Sequence, residues 1–96
     1  MTDVSGLGGF DWDDGNIVKC QKHGVLLSEI EALFHSTPLT SVDAEHSVAK
    51  ERYYAVGTTA AGRGLLVVFT WRERDGVRLV RPISARYISR KITGGT

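Results

Sequence analysis

Apolar positions recur along this chain with two different periods, and the change falls near its middle. The first part reads as helical. Ile17, Val18 and Cys20 give the segment after Asp13 and Asp14 one apolar side, and either aspartate suits the N-cap, accepting from the free N–H groups there. Gly24 suits the left-handed position just past a helix end, so the pattern predicts a helix running to about His23. Ahead of it, Phe10 and Trp12 alternate with Asp11 and Asp13, the period of a short strand. A second helix is marked by SEIE at 28–31, a capping box in which Ser28 caps and Glu31 reaches back three residues. Ile30, Leu33 and Phe34 follow at the spacing of one buried stripe, and Pro38 closes the segment.

Residues 39–50, LTSVDAEHSVAK, alternate poorly and contain turn formers; they predict a surface loop with at most a short edge strand. After them the period becomes two. RYYAVGT, GLLVVFTWR and VRLVRPISAR predict three strands, separated by TAAGRG and ERDG. Loops this short favour antiparallel hairpins, and the apolar run LLVVF predicts a central strand covered at least in part on both faces. The expected fold class is α+β, a small antiparallel sheet with two N-terminal helices packed on one face. Glycine-rich ends, GLGG and TGGT, predict a flexible lead-in over residues 1–9, a single domain over 10–92 and a flexible tail over 93–96.

Composition narrows the classes. Ninety-six residues, 42% hydrophobic and 24% charged, predict one soluble globular domain with one core. No apolar run approaches membrane-spanning length, and the first residues lack the basic start and apolar stretch of a signal peptide, so a cytoplasmic location and no membrane contact are expected. Cys20 is the only cysteine, which excludes an internal disulfide and a multi-cysteine metal cage. Cys20 and His23 have a C-x-x-H spacing, but no second pair of comparable spacing follows, and no phosphate-cradling glycine loop is present. Neither a metal nor a cofactor is expected.

The net charge of +1 hides a polarised chain. Residues 1–48 hold two Lys and no Arg against eight acids, net −6; residues 49–96 hold ten Lys or Arg against three acids, net +7. Arg52 opens the first predicted strand, Arg72 ends the second, Arg78 and Arg81 lie in the third and Arg86 closes it. Guanidinium matches phosphate with a rigid donor fork, so the bias points to a polyanion. The plainer alternative is solvated arginines, or arginines paired with Glu51, Glu73 or Asp75. Tyr53, Tyr54, Trp71 and Tyr87 lie beside the cations, where aromatic rings stack unpaired bases or simply pack half-buried in strands.

FDWD at 10–13, KHGV at 22–25, the helix ending in LF at 33–34, ER at 51–52, LLVVFTWR at 65–72 and ISAR at 83–86 resemble, in order and in gaps, the BrnT toxin family of bacterial type II toxin–antitoxin modules. The resemblance spans about residues 10–91. It departs at Lys19, followed by Cys20 where the family often has an Asn, and after ISAR, where ITGGT replaces an acidic, tyrosine-containing extension.

The resemblance implies a RelE-like fold and an RNA-cleaving toxin that inhibits translation. It also implies a BrnA-type antitoxin that neutralises the toxin, with operator DNA contacted only through the antitoxin complex. Carried onto matching positions, it implies catalytic roles for His23, Glu51, Arg52, Arg72 and Arg86, with Lys22 in support. A metal-independent ribonuclease must deprotonate a 2′-OH, stabilise charge growing on the adjacent phosphate and protonate the leaving 5′-oxygen. Arg52, Arg72 and Arg86 are assigned to the phosphate, and His23 to general acid or base, since imidazole titrates near neutrality. Glu51 is a second acid/base candidate or the carboxylate that orients an arginine. Arg78, Arg81 and Tyr87 are further RNA-binding candidates. Lys22 and His23 also have a purely structural reading, as cations at a helix C-terminus. The alternative function is a non-catalytic nucleic-acid-binding module, or an antitoxin partner in a transcriptional repressor complex.

Overall fold

The computed structural model describes residues 7–42 and 51–88. In chain order the elements are α1 (Asp14–Cys20), α2 (Leu27–His35), β1 (Leu39–Val42), β2 (Tyr53–Thr58), β3 (Gly64–Arg74) and β4 (Val77–Ile88). The strands form one antiparallel sheet in the order β1-β2-β3-β4, and both helices pack on one face of it, as the periodicity predicts. The short edge strand expected within 39–50 is β1; residues 43–50 lie outside those described, as do most of the expected lead-in and the whole of the 93–96 tail.

The core lies between the helices and the sheet. Cys20, Val25, Ile30, Leu33 and Phe34 meet Ala55, Leu65, Val67, Phe69, Val80 and Ala85, all buried. Phe34 and Phe69 meet in a T-shaped pair, with ring centroids 4.9 Å apart, and Tyr53 stacks on Phe69 from β2. Burying a side chain of this size stabilises the fold by about 1.5–3 kcal/mol, so this cluster holds α2 on the sheet.

The helix ends differ from the sequence expectation, for local reasons. Asp13 caps α1, accepting from Asn16 N at 2.9 Å, while Asn16 Oδ1 accepts from Asp13 N at 2.7 Å. The helix stops at Cys20 rather than about His23. Lys22 N then donates to Lys19 O and Gly24 N to Gln21 O, which folds residues 21–24 into a turn with Gly24 at φ +86°. The α2 N-cap is Leu26, not Ser28, and Glu29, not Glu31, reaches back, accepting from Leu26 N at 3.1 Å. Leucine has no side-chain acceptor, so only this return half of a capping box forms. Glu31 instead accepts from Trp12 Nε1 at 2.8 Å.

The stretch expected as a strand at 10–13 forms a single bridge, Phe10 to Val80, on the outer edge of β4. Gly8 N donates to Arg78 O, Val80 N to Gly9 O and Asp11 N to Val80 O, so this segment covers an edge that would otherwise be open.

One irregularity in β4 decides which way its arginines face. Val68 pairs with Ser84 but Phe69 pairs with Pro82, leaving Ile83 as an extra residue, a β-bulge. Side chains alternate along a strand, and an inserted residue reverses the alternation beyond it. Val80 and Pro82 face the core before the bulge, and Ala85 and Tyr87 after it. Arg81, Ser84 and Arg86 therefore share the opposite, open face. Pro82 donates nothing to the ladder, and its carbonyl accepts from Asn16 Nδ2 at 3.0 Å, which ties α1 to the bulge.

Candidate functional site

The open face of the sheet holds a hollow of ≈ 250 Å³ lined by His23, Arg52, Tyr54, Leu66, Val68, Ser84, Ala85 and Arg86. Its floor is a grid set by strand register. Tyr54, Val68 and Ser84 are successive Cα partners across β2, β3 and β4, and Val56, Leu66 and Arg86 form the next row. Arg52, two residues before Tyr54, comes to the same face by alternation. His23 arrives from the turn after α1, carried there because Asn16 and Cys20 pin the helix at β4 and in the core. Three of the predicted catalytic residues, 63 positions apart between His23 and Arg86, thus line one hollow.

His23 and Arg86 are exposed, and neither has an ion-pair partner among the described residues; Arg52 and Tyr54 are half-buried. The basic residue in the last turn of α1 is Lys19, and His23 lies three residues past the helix end, in the turn that Gly24 closes. Lys22 stands exposed beside His23 but does not line the hollow.

The remaining predicted residues are distributed elsewhere. Glu51 and Arg72 line a second hollow at the sheet's end with Tyr53, Thr70, Trp71 and Glu73. Glu51 accepts from the Tyr53 hydroxyl at 2.9 Å, which raises the pKa of that tyrosine above the usual value. Arg81 is committed to ion pairs: Nη1 lies 3.3 Å from Asp11 Oδ2 and Nη2 2.8 Å from Asp13 Oδ2. Asp11 also holds Arg74 at 3.3 Å and, more loosely, Arg72 at 3.9 Å. The sequence pointed to Glu51, Glu73 and Asp75 as arginine partners; the aspartates that meet Arg72, Arg74 and Arg81 come instead from the N-terminal segment. Part of the chain's charge polarity is therefore spent inside the fold.

Arg78 and Tyr87 face the helix side. The Arg78 guanidinium lies 3.8 Å from the Trp71 ring centroid. Tyr87 donates its hydroxyl to Glu29, an acceptor that raises the tyrosine's pKa, and Arg63 covers its ring at 3.5 Å. Cys20 and His23 point to different places, one into the core and one into the hollow. Burial pushes the Cys20 thiol up to about 11, so it is protonated and unreactive at neutral pH.

Leu66, Val68 and Ser84 were not singled out from sequence, because only strand pairing places them beside His23. The period-two pattern shows that Leu66 and Val68 share a face, but not which histidine meets it. No helix among the described residues is long and apolar enough to cross a membrane.

A family model described as "Ribonuclease toxin, BrnT, of type II toxin-antitoxin system" matches residues 12–91. No curated protein matches the chain.

Proposed function

The chain belongs to the BrnT family of ribonuclease toxins of type II toxin–antitoxin systems, and on that premise we propose that it cleaves RNA without a metal ion, in the hollow lined by His23, Arg52 and Arg86. Membership implies an RNA substrate and an antitoxin partner. The observation that supports the site is the convergence of one imidazole and two guanidiniums in one hollow on the open face.

In this reading Arg52 and Arg86 grip the scissile phosphate and stabilise the charge that grows on it as the neighbouring 2′-oxygen attacks phosphorus. The P–O5′ bond breaks as the new P–O2′ bond forms, leaving a 2′,3′-cyclic phosphate and a 5′-hydroxyl. His23 takes the proton from the 2′-OH or gives one to the departing 5′-oxygen, and solvent water carries the other transfer, so that one proton leaves O2′ for each one gained by O5′. Arg72, on the same face further along β3, contacts a flanking phosphate; Glu51 orients groups at that end of the sheet, and Lys22 adds positive potential beside His23.

The partner is taken to be a BrnA-type antitoxin, with operator DNA reached only through it. Two features favour this. α1 has 7 residues, and α2 presents Glu29 and Glu31 near its start, acids that repel a phosphate backbone.

The test is cleavage of RNA by purified protein in excess EDTA. Wild type should cut; His23→Ala should lower the rate about 10²–10⁴-fold. Arg86→Ala should lower it about 10²-fold or more. Both side chains are exposed, so thermal midpoints should stay at the wild-type value. Wild type inert in EDTA, or a His23→Ala protein cutting at the wild-type rate, would show the reading to be wrong.

A further inference from the structure

We propose that the floor of this hollow, Tyr54 with Val68 and Leu66, is a seat for one nucleobase next to the phosphate held by Arg52 and Arg86. The inference rests on the RNA reading and adds to it a base-binding subsite with named residues.

The argument starts from an anomaly of patterning. The solvent face of an antiparallel sheet is ordinarily polar. Here the centre of that face is Tyr54, Val56, Leu66 and Val68, half-buried and apolar, while the cations stand at its margin. A phosphate site needs donors alone; it has no use for an apolar floor. A nucleotide needs both, a charged end for its phosphate and an apolar surface for the flat face of its base.

The geometry has that division. Tyr54 and Val68 are directly paired, so the phenol ring and the isopropyl group stand side by side on adjoining strands, which lie about 4.8 Å apart. Arg86 is in the next row, two strands from Tyr54, so their Cα atoms lie about 12 Å apart before side-chain reach is counted, and Leu66, at the platform's edge, is its direct Cα partner. Ser84 completes the Tyr54 row on the far side of Val68, where its hydroxyl meets the edge of a base lying on the platform rather than its face. The hollow's ≈ 250 Å³ is slightly below the usual range of small-ligand pockets, about 300–1,000 Å³, so it seats one nucleotide and not an extended strand. Stacking accepts any base, and the Ser84 hydroxyl, a donor and an acceptor, contributes discrimination between them at this spot.

The experiment compares two uncleavable probes of equal charge: a short oligodeoxynucleotide with bases, and the same backbone with abasic residues throughout. Wild type should bind the first about tenfold more tightly, within the range that a base stacked on an aromatic ring contributes. Tyr54→Ala should erase that tenfold difference while leaving abasic binding unchanged, and Tyr54→Phe should keep it. Arg86→Ala should weaken both probes together. Because Tyr54 is half-buried, the wild-type protein gives a control that needs no substitution: Tyr54 ring-proton resonances should shift with the base-bearing probe and not with the abasic one.

Equal affinity of wild type for both probes overturns the subsite, as does an unmoved Tyr54 ring; a protein partner would then be the better explanation of the apolar floor. These outcomes separate from those for catalysis. A protein that cuts RNA yet ignores bases loses only the subsite, whereas one that reads bases through Tyr54 yet never cuts keeps the subsite and loses the ribonuclease reading.

Discussion

At the scale of single residues, arginines that look alike in the sequence have different employment. Arg86 is exposed at the hollow, whereas Arg81 has a side chain 22% exposed and divides its donors between Asp11 and Asp13. Arg81→Ala should therefore destabilise the protein by about 1.5 kcal/mol in urea unfolding, the scale of a charge-assisted hydrogen bond, with little effect on RNA affinity. Arg86→Ala should do the reverse. No feature of the sequence separates the two: the bulge at Ile83 brings both to the open face, and only the approach of Asp11 and Asp13 from the N-terminal segment commits Arg81. His23 was legible as a candidate from its place beside Lys22 and Gly24, but its companions were not, since Arg52 and Arg86 reach it only through strand pairing. Cys20 supplies a further check. Its thiol, buried and pushed up to about 11, should react with a disulfide reagent at pH 8 only as fast as the protein unfolds.

At the scale of elements, the strands were the most legible part. ERDG contains Asp75 and Gly76, whose φ values of +54° and +79° are those of the two-residue hairpin turn that an Asp-Gly pair favours, and it joins β3 to β4 as expected. Helix boundaries were less legible, because two overlapping cap patterns are available, Ser28 with Glu31 and Leu26 with Glu29; Glu29 accepts from Leu26 N, and Glu31 accepts instead from Trp12 Nε1. Asn16 is the least conspicuous of the structural residues. Its buried amide donates to Asp11 O and Pro82 O, at 2.9 and 3.0 Å, and so holds α1, the N-terminal segment and the bulge together. Asn16→Ala leaves two buried carbonyls without this donor and should cost about 2–3 kcal/mol by denaturant unfolding. The cap it shares with Asp13 is pH-sensitive. Hydrogen bonding from the Asn16 backbone, then Arg81, holds the Asp13 carboxyl below its usual pKa of 3.8. A depressed folded-state pKa means that this contribution is complete above about pH 4 and disappears as pH falls through the folded value. Asp13→Asn should flatten the acid limb of the stability curve, and a limb of unchanged steepness would contradict the assignment.

At the scale of the whole molecule, the polarised charge does two jobs. Asp11 and Asp13, from the acidic half, neutralise Arg74 and Arg81 and approach Arg72, while Arg52 and Arg86 line the hollow. Binding of an uncleavable oligonucleotide should weaken linearly on a log–log plot against salt, and Arg86→Ala should reduce the slope by about one phosphate contact, near 0.7 for a single strand. The sequence disclosed the basic half and the α+β class, but not this partition, because the acids and cations that meet lie about 60 or more residues apart along the chain. The central claim is that an imidazole and two guanidiniums cleave RNA by turning its own 2′-oxygen on the neighbouring phosphate, and its most direct test is the chemistry of the cut ends. Mass spectrometry of fragments made in excess EDTA should find 2′,3′-cyclic phosphates, or their opened monophosphates, opposite 5′-hydroxyls; fragments ending in 3′-hydroxyls opposite 5′-phosphates would contradict the account.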